Sequence, residues 1–168
     1  MSIMRTKLKS YAKEAIVFCV VMLVVANGIS WYKSQDLNLE KLQYVEYILL
    51  QNQSYKIEES KPVLVHFWAT WCPACKIEAS SIEKLSKDFE VVTIAVKSGT
   101  DQEISKFMSE NNYNYNVVND FEGELSQEFN IAAYPTTFIY DKSKNLRFSE
   151  VGYSSYIGLW LRMQWASF

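Results

Sequence analysis

The 168-residue chain is expected to fold as an α/β sandwich, with a central mixed β-sheet flanked by helices. Three observations predict this. Val63–Trp68 and Val91–Val96 are nearly continuous apolar runs of strand length, as in strands buried on both faces. A segment with helical spacing follows each of them. Later, Thr136–Asp141 and Leu146–Gly152 are joined by Lys142-Ser143-Lys144-Asn145, which reads as an antiparallel pair, and one more helical segment closes the sequence. The order βαβ and then ββα calls for a sheet containing both parallel and antiparallel neighbours.

Taken in chain order, residues 1–14 hold Arg5, Lys7, Lys9 and Lys13 against Glu14, a local charge of +3. From Ala15 to Tyr32 no residue is charged. Eighteen residues at about 1.5 Å each reach roughly 27 Å, close to the hydrocarbon thickness of a bilayer. Trp31 and Tyr32 end the run as interfacial aromatics do, and Lys33 follows. The positive-inside rule then makes 1–14 a cytoplasmic tail and 15–32 a single-pass transmembrane anchor, and it exports the rest. A buried core helix is one alternative, disfavoured by the lysine-rich flank; a cleavable signal peptide is the other, with Val24 and Ala26 as its small residues, and it exports the domain as well. Cys19, inside the run, reads as a small apolar side chain in lipid.

Residues 33–45 are polar and mixed, suited to a tether, and 46–168 are expected to form one domain. Short β-like pieces stand at Tyr47–Leu50 and Ser54–Ile57, before the punctuating Lys61-Pro62 and the strand Val63–Trp68. Residues 72–87 are helical, with Glu78, Ile82, Leu85 and Phe89 on one face. Asp101–Asn111 is a helix with an aspartate cap, turning Ile104, Phe107 and Met108 inward. Val117-Val118 opens a short strand, and Glu124–Phe129 supplies one or two helical turns. In the helix over 154–168, Ile157, Trp160, Leu161, Gln164 and Phe168 fall near one stripe and are expected to be core.

Composition excludes several functions. Beyond residue 14 the chain holds 13 basic and 18 acidic residues, a net −5, so no basic footprint for nucleic acid exists. Three cysteines and one histidine are too few for a zinc site built from four cysteines, or from two cysteines and two histidines. What stands out is Cys72-Pro73-Ala74-Cys75, placed where a buried strand gives way to a helix. A helix N-terminus carries partial positive charge and free N–H groups, which favour a thiolate. A second thiol two residues on can resolve a mixed disulfide formed by the first. A structural disulfide is the bland alternative, but so small a loop restrains little chain entropy. Half of a metal site is the other, and the one histidine lies six residues upstream. Glu78 shares a face with apolar residues, so burial would raise its pKa toward the range useful for exchanging a proton with Cys75; a first-turn acid favoured by the helix dipole is the plainer reading.

These residues resemble the thioredoxin superfamily. VLVHFWATWCPAC is similar to its active-site strand and loop, and Ala133-Tyr134-Pro135-Thr136-Thr137-Phe138 to its second signature. The likeness is nearest to membrane-anchored TlpA-like proteins, the group of the cytochrome c maturation reductases. Within it, FWATWC, VVND, PTTF and SSYIGLWLRMQWASF resemble the suppressor of copper sensitivity protein D branch. The resemblance implies a thioredoxin-like three-layer sandwich, Cys72 as nucleophile, Cys75 as resolving thiol and Pro135 in the cis form. It also gives a glutamate at the position of Glu78 a proton-exchange role. His66 stands where many thioredoxins have a buried aspartate and TlpA-like ones asparagine; it is a candidate proton acceptor or a hydrogen-bonded core group. Substrate is expected to meet Trp71, Pro73, Ala74, Tyr134 and Pro135, while Trp68 packs near the pair.

The implied activity is that of a membrane-anchored protein thiol–disulfide oxidoreductase of the bacterial inner membrane, its domain in the periplasm. It would act on thiols and disulfides of exported proteins as a reductant, fed by a membrane electron-donor protein. No cofactor or metal beyond the Cys72–Cys75 disulfide is expected, and the chain is expected to be monomeric. Disulfide oxidase or isomerase activity is one alternative, and a copper-binding protein on the same scaffold is another, since two thiolates can hold Cu(I). A membrane-held docking module with an idle disulfide is a third.

Overall fold

The computed structural model describes residues 13–14, 16–18, 20–22, 25, 28, 41–43 and 46–168. Two short strands, β1 (Glu46–Leu49) and β2 (Gln53–Lys56), form an antiparallel hairpin of their own. The main elements follow as β3 (Val63–Trp68), α1 (Pro73–Leu85), β4 (Glu90–Val96), α2 (Asp101–Glu110) and β5 (Asn116–Asp120). Then come α3 (Glu124–Glu128), β6 (Thr136–Tyr140), β7 (Leu146–Val151) and α4 (Tyr156–Ala166).

The five-stranded sheet runs β5-β4-β3-β6-β7. Strands β3, β4 and β5 are parallel, β6 is antiparallel to β3, and β7 is antiparallel to β6. The expected mixed sheet is therefore present, with β3 at its centre and all six of its residues buried. Strand alternation divides them between two cores. Leu64 and Trp68 join Ile82, Leu85, Ile104, Leu159 and Met163 from the helices on one side. Val63, Val65 and Phe67 join Tyr47, Leu49, Ile57 and Phe129 on the other. Phe67 is seated by Phe129 and Phe138, with ring centroids 5.1 and 6.0 Å away.

Local chemistry fixes the helix starts. Pro73 opens α1, where its missing N–H is no loss, and Glu78, Ile82 and Leu85 are buried together as their spacing predicts. In α2 the cap is Thr100 rather than the expected Asp101. Thr100 is extended, its backbone N–H donates to Glu103 Oε2 at 2.8 Å, and its hydroxyl accepts from the Glu103 N–H at 3.3 Å, a reciprocal capping box. Ile104 and Met108 are buried, and Phe107 packs on Trp68 at 5.6 Å.

The expected core stripe of the last helix is corrected. Leu159, Met163 and Ala166 are the buried residues of α4, whereas Ile157, Leu161 and Phe168 face outward and Trp160 is half-buried. This helix is apolar nearly all round, so periodicity alone does not fix its rotation. Packing against the sheet does, with Ser155 accepting the Gly158 N–H to set the start.

The expected anchor, 15–32, and tail, 1–14, lie largely outside the described residues. Those described within the anchor are helical, and Ile16, Val17, Phe18, Val20, Val21, Met22 and Val25 are exposed. Among the described residues no helix is long and apolar enough to cross a membrane. The end of the tether is docked rather than free: Leu42 is buried, and its N–H donates to the Lys144 carbonyl at 3.0 Å.

Lys144 itself sits in the β6–β7 turn at φ 62°, nearly buried, and its ammonium donates to the Glu58 and Lys61 carbonyls at 2.8 and 2.7 Å. These bonds hold the approach to β3 against the turn. Lys144→Met keeps the length of the side chain but strands both carbonyls, and is expected to cost on the order of 2 kcal/mol in urea unfolding.

Candidate active site

At the C-terminal end of β3 the chain leaves the sheet through Ala69, Thr70 and Trp71 and enters α1 at Cys72. Two contacts hold this loop. The Thr70 N–H donates to Ser98 Oγ at 3.0 Å, and Trp71 Nε1–H donates to the Lys97 carbonyl at 3.1 Å. Cys72 is the N-cap of α1, and it forms a disulfide with Cys75. The Cys75 N–H points at Cys72 Sγ, 3.2 Å away, so a free amide of the first helical turn is spent on the sulfur of Cys72. A sulfur in that place is stabilised as a thiolate when the bond opens.

The second wall comes from the loop before β6. The Tyr134–Pro135 peptide is cis, and the Tyr134 carbonyl lies 3.7 Å from Cys72 Sγ. The Gly152 N–H donates to the Pro135 carbonyl at 2.8 Å and ties this loop to the end of β7. The Tyr134 ring meets Trp71 edge-to-face at 5.7 Å. Cys72 is itself 5% exposed, while Trp71 is 58% exposed. A partner's sulfur would thus approach along an aromatic rim. Trp71 and Pro73 are exposed, and Ala74 is half-buried. Trp68, by contrast, is in the core with both cysteines, and its Nε1–H donates to Thr93 Oγ1 at 3.0 Å.

Beneath the disulfide the two candidate proton carriers differ. Glu78, one turn beyond Cys75, is fully buried; neither carboxyl oxygen makes a well-formed hydrogen bond, and the nearby donor is the Ser154 backbone N–H. Burial pushes its pKa up to about 8, against the Ser154 backbone N–H, which lowers it, and the nearby Glu150 carboxylate adds to the rise. The plainer reading, an acid in the exposed first turn, does not describe this side chain. His66 lies in β3 with its Nδ1 2.9 Å from Thr137 Oγ1. Burial lowers its pKa to about 3, so the ring stays neutral and is a weak proton acceptor.

Two contributors carried no clear sequence signal: Lys97 and Ser98. Lys97 holds a left-handed backbone at φ 46°, a position without the glycine that would have marked it. Gly152 at φ 96° does follow the general rule for a strand end. Among the described residues no cluster of His, Cys, Asp and Glu suited to a metal is found.

The profile of the AhpC/TSA family matches residues 34–149. The chain belongs to the AhpC/TSA family. A thioredoxin-like protein of Haemophilus influenzae is 28% identical over 96% of this chain and 98% of its own. The sporulation thiol-disulfide oxidoreductase A of Bacillus subtilis is 25% identical over 79% of this chain and 87% of its own. Among solved structures, a thiol:disulfide interchange protein of the thioredoxin family from Chlorobium tepidum superposes with a TM-score of 0.68 at 24% identity, covering 79% of this chain and 99% of that one. The fold is thioredoxin-like, as the resemblance implies.

Proposed function

We propose that the chain is a membrane-anchored protein thiol–disulfide oxidoreductase that works through Cys72 and Cys75. One observation carries the reading: Cys72 Sγ caps a helix, faces the Cys75 N–H at 3.2 Å, and sits 3.7 Å from the carbonyl that precedes a cis-proline. An extended peptide can pair with the backbone around Tyr134 and bring its own sulfur onto Cys72. The thioredoxin-like fold and the oxidoreductase names of the relatives support the same reading.

In the reducing direction the Cys72 thiolate attacks one sulfur of a substrate disulfide. A Cys72–substrate bond forms and the other substrate sulfur leaves as a thiolate. Cys75 then gives up its proton and attacks Cys72 Sγ. The internal disulfide forms, the second substrate sulfur leaves, and two electrons have passed to the substrate. Glu78 is the acceptor for the Cys75 proton: a carboxylate with a pKa of about 8 matches a thiol near neutral pH. Trp71, Pro73, Ala74, Tyr134 and Pro135 form the substrate rim.

The finer assignment is a TlpA-like protein of the bacterial inner membrane, near the copper-sensitivity D branch, with the domain in the periplasm. The uncharged run 15–32, its basic flank and the exposed apolar side chains of its described residues support the anchor. Exported proteins are the substrates, and a membrane dithiol protein supplies electrons. The equilibrium reduction potential against glutathione tests the direction. A value below about −220 mV is expected, and one near about −120 mV would make the chain a disulfide donor instead.

A further inference from the structure

The α4 helix turns one apolar side outward. Ile157 is 68%, Leu161 56% and Trp165 68% exposed, at i, i+4 and i+8, and Phe168 continues the line. Such a row on one helix face marks a contact surface. Its neighbours define the kind of contact. The one charged residue of α4, Arg162, is paired with Glu150 at 2.7 Å. On the adjoining α1 the exposed charged side chains are Lys76 and Lys84, and Lys84 Nζ stands 5.9 Å from the ring of Tyr156, the first residue of α4. No exposed acid lies on either helix, although the chain beyond residue 14 carries a net −5. An apolar stripe with tryptophan, on a helix without exposed acids and packed beside one whose exposed charges are lysines, is the pattern of a helix lying in a membrane interface with anionic headgroups.

The topology puts this helix within reach of the bilayer. Strand β7 ends beside Pro135, so α4 begins at the disulfide end of the sheet. Its eleven residues then return for about 16 Å, burying Leu159, Met163 and Ala166 in the core that also holds Leu64 and Leu85. Trp165 therefore lies toward the end where β3 begins. At that same end Leu42 is pinned to Lys144. A stretch of nine residues, 33–41, can span at most about 31 Å when fully extended.

We propose that the Ile157, Leu161, Trp165 and Phe168 stripe of α4, with Lys76 and Lys84, is the face on which the domain rests against an anionic bilayer. The inference rests on the anchor proposed above. It adds that the domain has a seated orientation, which holds the disulfide at a fixed distance from the membrane.

The test uses the whole chain carrying Trp31→Phe, reconstituted in nanodiscs of phosphatidylcholine and phosphatidylglycerol with brominated acyl chains. Bromolipid is expected to quench tryptophan fluorescence, and adding Trp165→Phe should remove about half or more of that quenching. Leu161→Glu should remove it too, while insulin reduction continues at the parent rate. Discs that take up the chain but show no Trp165-dependent quenching overturn the seating and leave the anchor standing. A chain that does not co-elute with the discs overturns both. Cross-linking of two chains through the stripe, without quenching, assigns it to a second copy and overturns the bilayer contact. The insulin assay scores the redox reading separately.

Discussion

Cys72→Ser is expected to lower the rate of insulin reduction by at least about a thousandfold, with the fold unchanged by circular dichroism. The sulfur is the atom that forms the bond to substrate, and a serine hydroxyl at the same helix N-terminus is too weakly acidic to replace it. Cys75→Ser is expected to behave differently. Its first step survives, since the residue 75 backbone N–H still reaches the Cys72 sulfur, but no second thiol releases the substrate. Multiple turnover therefore fails while a single attack proceeds. An unchanged rate in Cys72→Ser would support the idle-disulfide docking module instead.

Glu78→Gln carries the second large effect, and it has a sign in pH. The folded-state pKa of Glu78 is raised from 4.5 to about 8, with burial as the main cause. Below about pH 4.5 both folded and unfolded chains hold the proton, and the group costs nothing. As pH rises toward 8 the unfolded chain ionises first, so stability drains away, and above about 8 the loss levels off on the order of 5 kcal/mol. Urea unfolding of the oxidised protein at pH 5 and pH 9 should show this fall in the parent and not in Glu78→Gln, which is then the more stable form at pH 9. In exchange kinetics the same variant is expected to slow the resolving step by about 10- to 100-fold near neutrality. The attack by Cys72 should be spared, and the rate profile should lose its limb near pH 8. A parallel loss in both steps would make Glu78 a structural residue rather than a proton acceptor.

The parts of this fold that were legible in the sequence are those where one signal acts alone. Val63–Trp68 could only be a buried strand, and Pro73 after Cys72 could only open a helix, so the cysteine pair was placed correctly from spacing. For Glu78 the sequence offered burial, because Ile82 and Leu85 share its face, beside the plainer first-turn acid, and the packing of α1 decides for burial. Where two signals compete, reading fails. Thr100 and Asp101 are both good caps, and the reciprocal bond to Glu103 decides between them. In α4 nearly every position is apolar, and the buried set is chosen by the sheet beneath it. Leu42 sits in a polar stretch and is buried by a turn about a hundred residues away, a long-range contact with no local trace. His66 was ambiguous in role, not in place: burial lowers its pKa, and Thr137 Oγ1 holds its Nδ1, neither of which is legible locally.

The most direct measurement is the mass of the product when reduced Cys75→Ser protein is mixed with a disulfide-bonded peptide. The account predicts one peptide per chain, released by dithiothreitol and mapped to Cys72, formed at a rate close to that of the parent's first turnover. No adduct, or an adduct that forms equally well in Cys72→Ser/Cys75→Ser, would contradict it.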